Sequence, residues 1–315
     1  MRTSTRTTLI AITGGALLLG AATTGGAAPV DEDGDRAIKC STERGSDDFY
    51  PGPSASKVYD DKFDKEAWSI PGLADGYVPQ GLTRIQDVML VTSYKEVGGE
   101  QVNGRIYGID LKTGKALDPV EVAPSHMGGA AVVGPWLYVS AKSSNLAWYR
   151  AEEVLKQLRE PGVSSMEPVG KTGVYAASFL GSYGDVLYAG KFNRTDRDVM
   201  HSYRIGPDGT PQEAGKFEVP KKAQGLLVTE DKFVFSTSAT TKNRSNLYIS
   251  NRADHQLEPS AKCFRAPSMS EGMTTYGDNA YLLFESGAQV YEHKATNPIK
   301  KLHQAKISKL TSTGF

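Results

Sequence analysis

The chain has 315 residues with 36 basic and 36 acidic side chains, so its formal charge is zero, falling to −2 without the N-terminal Arg2 and Arg6. That balance leaves no basic field to hold a polyanion and argues against nucleic acid as a partner. With 33 glycines, 16 prolines and 15 tyrosines but only two cysteines, the composition suits many short strands joined by tight turns.

Residues 1–28 read as an export signal. Arg2 and Arg6 give a positive start, an apolar and small-residue run follows, and Gly26-Ala27-Ala28 supplies small residues at the cleavage positions before Pro29. No later segment reaches the ~18 apolar residues needed to span a bilayer, and the leader lacks a lipid-anchoring cysteine at its end. The expectation is a mature protein that is secreted, extracellular, monomeric or weakly associated, and free of the membrane after cleavage. Residues 29–60 form a polar arm rich in Asp, Ser, Gly and Pro. The run DKEAWSIPGL around Trp68 then predicts an extra or outermost strand on the last structural repeat, a way of hiding the first and last sheet edges.

From there the chain repeats. The apolar runs beginning at Val88, Trp136, Val186, Lys232 and Ala280 bring Gly81, Gly129, Ser178, Gly225 and Gly272 into register, at separations of 48, 49, 47 and 47 residues. A second landmark, Tyr107, Tyr149, Tyr203, Tyr248 and Tyr291, falls in the next run of each repeat. This period matches one four-stranded propeller blade. The prediction for 61–315 is an all-β, five-bladed β-propeller with four-stranded antiparallel blades. The tyrosines are read as packing residues between blades, and DPVEVAP, MEPVG, GKFEVP and KCFRAP as outer strands. One short helical insertion is expected at RAEEVLKQLRE, residues 150–160, where Val154, Leu155 and Leu158 share a side.

Function is sought where the repeats differ. At the inner-strand starts, where propellers line their central channel, stand Gln80, His126, Tyr175, Lys222, Gln224 and Glu271. A ring needing only closure has no use for six unlike side chains at equivalent places. An amide, imidazole, phenol and carboxylate set suits a polyhydroxylated or peptide ligand. The leading reading is therefore a binding protein for an extracellular glycan, cell-wall component, peptide or protein. The alternative is a secreted hydrolase or lyase with His126 as general base and Glu271 as acid or orienting partner, and a third is an interaction scaffold using the rim near Leu155. No Gly-x-Ser-x-Gly elbow occurs. The acidic runs near Asp31 and Asp196 lack the order of a calcium loop, and neither cysteine has metal-ligand neighbours, so neither a metal nor a cofactor is expected.

The phrases YVPQGL, AQGLLV and SEGMTT, each opening a strand followed by a run like LYVS, resemble the inner strands of secreted bacterial β-propellers of the quinoprotein-like and NHL-like kind. The resemblance covers residues 77 to about 310 and implies architecture. It carries no catalytic residue onto this chain, because that broad group spans binders, scaffolds and enzymes.

Cys40 and Cys263 are expected to pair, since both lie in the mature part of an exported chain. The bond would tie the arm to the edge of the fifth repeat, and the chain-entropy model assigns roughly 4–5 kcal/mol to so long a loop. Non-reducing peptide mapping should find the two linked, and Cys263→Ser should melt several degrees lower. Two free thiols in the exported protein would refute the pairing.

Overall fold

The computed structural model describes residues 56–258 and 260–314; the leader, Cys40 and most of the polar arm lie outside that range. Five antiparallel sheets follow one another along the chain and surround one axis. Blade 1 is Val78–Ile85, Val88–Tyr94, Gly104–Asp110 and Val120–Val122. Blade 2 is Ala130–Val133, Trp136–Ala141, Asn145–Arg150 and Gly170–Gly173. Blade 3 is Phe179–Tyr183, Val186–Gly190, Asp198–Ile205 and Pro211–Val219. Blade 4 is Ala223–Val228, Lys232–Thr237, Ser245–Asn251 and Lys262–Ala266. Blade 5 is Ser270–Tyr276, Asn279–Phe284 and His303–Lys306, completed from the other end of the chain by Phe63–Asp64.

The inner strands contact one another cyclically, and blade 5 meets blade 1. Glycine makes that approach feasible. A Cβ on Gly272 would lie 2.4 Å from Leu82 N and 2.9 Å from Gln80 O, and one on Gly225 would lie 2.2 Å from Glu271 O. Real side chains do not tolerate such distances, so the inner strands pack backbone against backbone. The repeating glycine of the sequence is thus a close-approach residue rather than a turn residue. In blade 3, where the alignment offers Ser178, the close approach falls on Gly181, against Leu226.

Between blades the core is layered. Trp136, Tyr138 and Trp148 of blade 2 pack with Leu187 and Tyr203 of blade 3, and Phe179 and Tyr188 of blade 3 with Phe233 and Phe235 of blade 4. Hydroxyl groups stitch the layers: Thr92 Oγ1 donates to Met127 O, Ser236 Oγ to Glu271 O, and Ser182 Oγ to Val132 O. Each of these bonds gives a carbonyl near the axis a partner that its own sheet does not supply.

Closure is made by the segment that begins at Ser56. Ser56 caps the helix Lys57–Lys62 by accepting from Tyr59 N, and its own hydroxyl donates to Arg265 O in blade 4. Phe63 and Asp64 then pair with Ala305 and Gln304 in blade 5. The fully buried Tyr59 stacks on Phe63 at 4.4 Å and hydrogen-bonds His303 Nδ1 at 2.6 Å. The propeller therefore includes residues from Ser56 onward. The closing strand precedes the Trp68 run, which contributes a single bridge between Ser69 and Lys301 while Trp68 stacks on Tyr281.

Three further expectations are corrected. Tyr291 lies in a turn region, and His303–Lys306 is the third strand of blade 5. Tyr107 and Tyr248 stand opposite Val91 and Phe235, one residue along the strand from the partners of Gly81 and Gly225, whereas Tyr149 and Tyr203 sit farther along the strand, opposite Leu137 and Leu187. The tyrosines thus occupy two register positions, although all four in strands are buried. The outer strand of blade 2 is Gly170–Gly173 rather than MEPVG, because the insertion before it visits blade 1. Its helix, Ala151–Arg159, buries Val154, Leu155 and Leu158, and Ser164–Ser165 then runs parallel to Val120–Val122.

Adding one methyl group at the tightest seam should be costly. Gly272→Ala is expected to destabilise the fold by about 1–3 kcal/mol, the range for overpacking a closed site, while Gly314→Ala, which meets nothing within 4 Å, should melt like the parent. Coincident thermal melts of the two variants would contradict the steric account.

Candidate functional site

Each inner strand runs antiparallel to its neighbour, so the start of the first and the end of the second share one end of the axis. In blade 5, for example, Ser270 stands opposite Phe284. At that end lies a cavity of about 340 Å³. Gln80 of blade 1, His126 and Met127 before blade 2, and Gln224 of blade 4 contribute to its wall, with Ser140, Ser144 and Ser178 adding hydroxyls and Phe192 and Ala177 apolar surface. At the opposite end of the axis, between the Thr83, Ser182 and Thr275 regions, the cavity is only about 40 Å³. The mouth at the inner-strand starts is the roomier of the two.

Behind the wall sit two carboxyl groups. Gln80, 1% exposed, donates from Nε2 to Glu285 Oε2 at 2.8 Å, and Gln224 donates from Nε2 to Glu271 Oε1 at 3.3 Å. Glu271 is itself 1% exposed. No lysine, arginine or histidine forms an ion pair with either carboxyl among the described residues. Removing a carboxylate from water without a cationic partner favours its neutral form. Desolvation accordingly pushes Glu285 up to about 7 against the opposing hydrogen bond from Gln80. Glu271 is raised well above the usual carboxylate range, first by burial and then by the neighbouring charge of Glu285.

His126 lies at the rim, its ring stacked on Tyr94 at 4.3 Å, and Tyr94 Oη is 3.2 Å from Tyr291 Oη. Desolvation lowers the His126 pKa, with Glu96 opposing, so the imidazole is neutral at pH 7. No hydrogen bond joins His126 to Glu271 among the described residues. Backbone strain marks the same rim. Met127, Lys222 and Met269 precede the inner strands of blades 2, 4 and 5 with φ of 58°, 65° and 62°, and each left-handed non-glycine residue costs on the order of 1–3 kcal/mol. Such residues concentrate where a backbone is held for a purpose other than regular pairing.

Of the six residues singled out in the sequence, Gln80, His126 and Gln224 line the cavity, and Glu271 lies one amide behind it. Tyr175 is elsewhere. It is 47% exposed, its hydroxyl donates to Asp198 Oδ1 at 2.9 Å, and its ring stacks on His201 at 4.5 Å. Lys222 contributes through its backbone, donating from N to Asn193 O and accepting at O from Ser238 N, and its side chain is not part of the cavity wall. Sequence reasoning missed Glu285, which follows the apolar run AYLLF; the end of every second strand was as strong a place to look as the start of every first. Among the described residues no group of three or more His, Cys, Asp or Glu side chains is placed to hold a metal ion, and no helix is long and apolar enough to cross a membrane.

No family model matches the chain, and no curated protein matches it. Among solved structures it is similar to the glutaminyl cyclase of Myxococcus xanthus, with a TM-score of 0.51 at 10% identity over 76% of this chain and 94% of that one. Weaker likenesses are a nidogen/laminin complex, at 0.39 and 16% identity over 66% and 73%, and BamB of Moraxella catarrhalis, at 0.36 and 11% over 72% and 59%. At these identities the first shows the propeller fold alone, and the other two add nothing to it.

A raised carboxyl has a signature in stability. The folded pKa of Glu285 is about 7 against about 4.3 unfolded, so between those values the folded state binds more protons and stability falls as pH rises. The contribution is complete below the unfolded value and gone above the folded one. Glu285→Gln should flatten this dependence and raise the melting temperature relative to the parent most clearly at pH 8. Urea midpoints measured from pH 4.5 to 8 check it, and parallel profiles for parent and variant would contradict it.

Proposed function

We propose that this protein is an exported β-propeller that binds a small extracellular ligand, from a glycan, cell-wall component or peptide, in the pocket at the channel mouth. The observation carrying this reading is the composition of the wall. Two amides, an imidazole and three serine hydroxyls share a 340 Å³ cavity with Phe192, Met127 and Ala177, a volume at the lower end of small-ligand sites and a mix of orienting polar groups on an apolar floor. The leader supports export.

A catalytic reading is favoured by one feature, the titration of Glu285 near neutrality. A carboxyl with a pKa of about 7 is suited to both accepting and returning a proton at physiological pH. Glu285 is the better candidate for that role than His126, which makes no hydrogen bond to Glu271 among the described residues and whose ring stacks on Tyr94. The glutaminyl cyclisation named for the Myxococcus xanthus neighbour belongs in the assay panel for that reason.

Isothermal titration against glycan, peptidoglycan-fragment and short-peptide panels, run beside hydrolase, lyase and glutaminyl cyclisation assays, tests both readings. Gln224→Leu and His126→Ala should each weaken binding by about 1–3 kcal/mol, the cost of leaving a buried polar partner unpaired. Lys156→Glu, on the exposed side of the helix Ala151–Arg159, should leave it unchanged. If the rim-helix variant abolishes binding and the mouth variants do not, the site is elsewhere. If turnover is found and Glu285→Gln lowers kcat far more than affinity, the catalytic reading holds.

A further inference from the structure

If the mouth binds a ligand, the reading on which this inference rests, its geometry specifies more than a polar one. Gln80 is buried, yet it lines the cavity. Its amide nitrogen is committed twice, to Pro79 O at 3.1 Å and to Glu285 Oε2 at 2.8 Å. Its carbonyl oxygen accepts no hydrogen bond among the described residues and is what the side chain has left to offer. Gln224 repeats the arrangement, with its nitrogen on Glu271. In each case a carboxyl oxygen holds the nitrogen end of the amide, so the pair fixes which end faces the pocket.

On the side of the two glutamines the wall therefore presents carbonyl oxygens, with two carboxyl groups behind them. The groups that act on the two carboxyls are each other, Gln80, Gln224, Tyr94 and Tyr291, and none of them is a cation; Glu96 and His126 stand at the rim beyond Tyr94. Lys95, at the same rim, has its ammonium on Asp75 O and over the Tyr77 ring. Placing the buried Glu271 and the half-buried Glu285 beside these carbonyl oxygens, with no cation paired to either among the described residues, is costly in the ionised form unless the ligand supplies one.

We infer that the mouth recognises a primary ammonium group, inserted against Gln80 Oε1 and Gln224 Oε1 with Glu285 and Glu271 behind them. The ammonium offers three N–H donors and no acceptor, the complement of this wall. Arrival of the cation draws the carboxyls toward their ionised forms, so binding releases protons to solvent and tightens as pH rises from 5.5 to 7.5.

The test compares ligands that differ only in that charge. Alanyl-alanine and glucosamine carry a primary ammonium, and N-acetyl-alanyl-alanine and N-acetylglucosamine do not. Titration calorimetry of the full mature protein at pH 7, in two buffers of different ionisation enthalpy, should show at least one free amine binding about tenfold more tightly than its acetylated form, with net proton release. Which pair discriminates identifies a peptide terminus or an amino sugar as the source. Glu285→Gln, which retains shape, should lose most of that discrimination. Equal binding of free and acetylated forms, or preference for the acetylated ones, overturns the inference while leaving the pocket as a binding site. Failure of all four probes when the wider panel yields another ligand at the mouth overturns it equally. Absence of any ligand at the mouth removes the binding reading itself.

Discussion

Where Gly272 passes Leu82 and Gln80, the backbones of the last and first blades come closer than one methyl group would permit. The same contact recurs between Gly225 and Glu271. This backbone-to-backbone packing around the axis sets the radius of the ring. It also decides how many blades close and how much room remains at the centre. Apolar layers between blades supply the bulk of the burial, but they are permissive about shape. The axial seam is not, because neither partner in it has a flexible end that can yield.

The chemistry of the mouth follows from the same constraint. Strands pressed this closely carry whatever stands beside their glycines into a dry position, and Gln80 and Glu271 are the immediate neighbours of Gly81 and Gly272. A carboxyl placed there loses most of its water and gains only what the adjacent blade provides. Here that is one amide donor each for Glu271 and Glu285. Positive φ at Met127, Lys222 and Met269 shows the chain accepting local strain where it enters the same ring. A closure residue needs none of these features. Together they mark the mouth as the place where two carboxyls stand without a cationic partner among the described residues.

Much of the fold was legible because the axial seam demands one residue type at one period. Gly81, Gly129, Gly225 and Gly272 stand out regardless of what surrounds them, and the β-branched and aromatic runs that come after them are ordinary strand signals. The tyrosine register was weaker evidence. An aromatic residue fits at either of two register positions between blades, and Tyr291 belongs to the long connection before His303–Lys306 rather than to a strand. The outer strands of blades 2 and 5 were misplaced because edges carry little pattern, and an inserted helix or a returning terminus can supply them. In the site, Gln80, His126, Gln224 and Glu271 were found by asking where repeats differ at inner-strand starts. Glu285 escaped because its position depends on the antiparallel return, which brings a second-strand end back to the same mouth. Tyr175 and Lys222 shared the sequence position without sharing the pocket, since side-chain direction at a strand start is set by the lead-in turn.

Axial packing that holds two carboxyls at the mouth with no cation beside them is open to direct measurement. Carbon-13 NMR of side-chain carboxyls in selectively labelled protein, titrated from pH 3 to 9 and assigned through Glu285→Gln and Glu271→Gln, reads their ionisation residue by residue. The expected result is a Glu285 midpoint near 7 and a Glu271 midpoint well above the ordinary carboxylate range. Midpoints for both in the ordinary range, about 4–4.5, would mean that water reaches the pair freely, and the reading of the mouth as holding two desolvated carboxyls without a cation would be wrong.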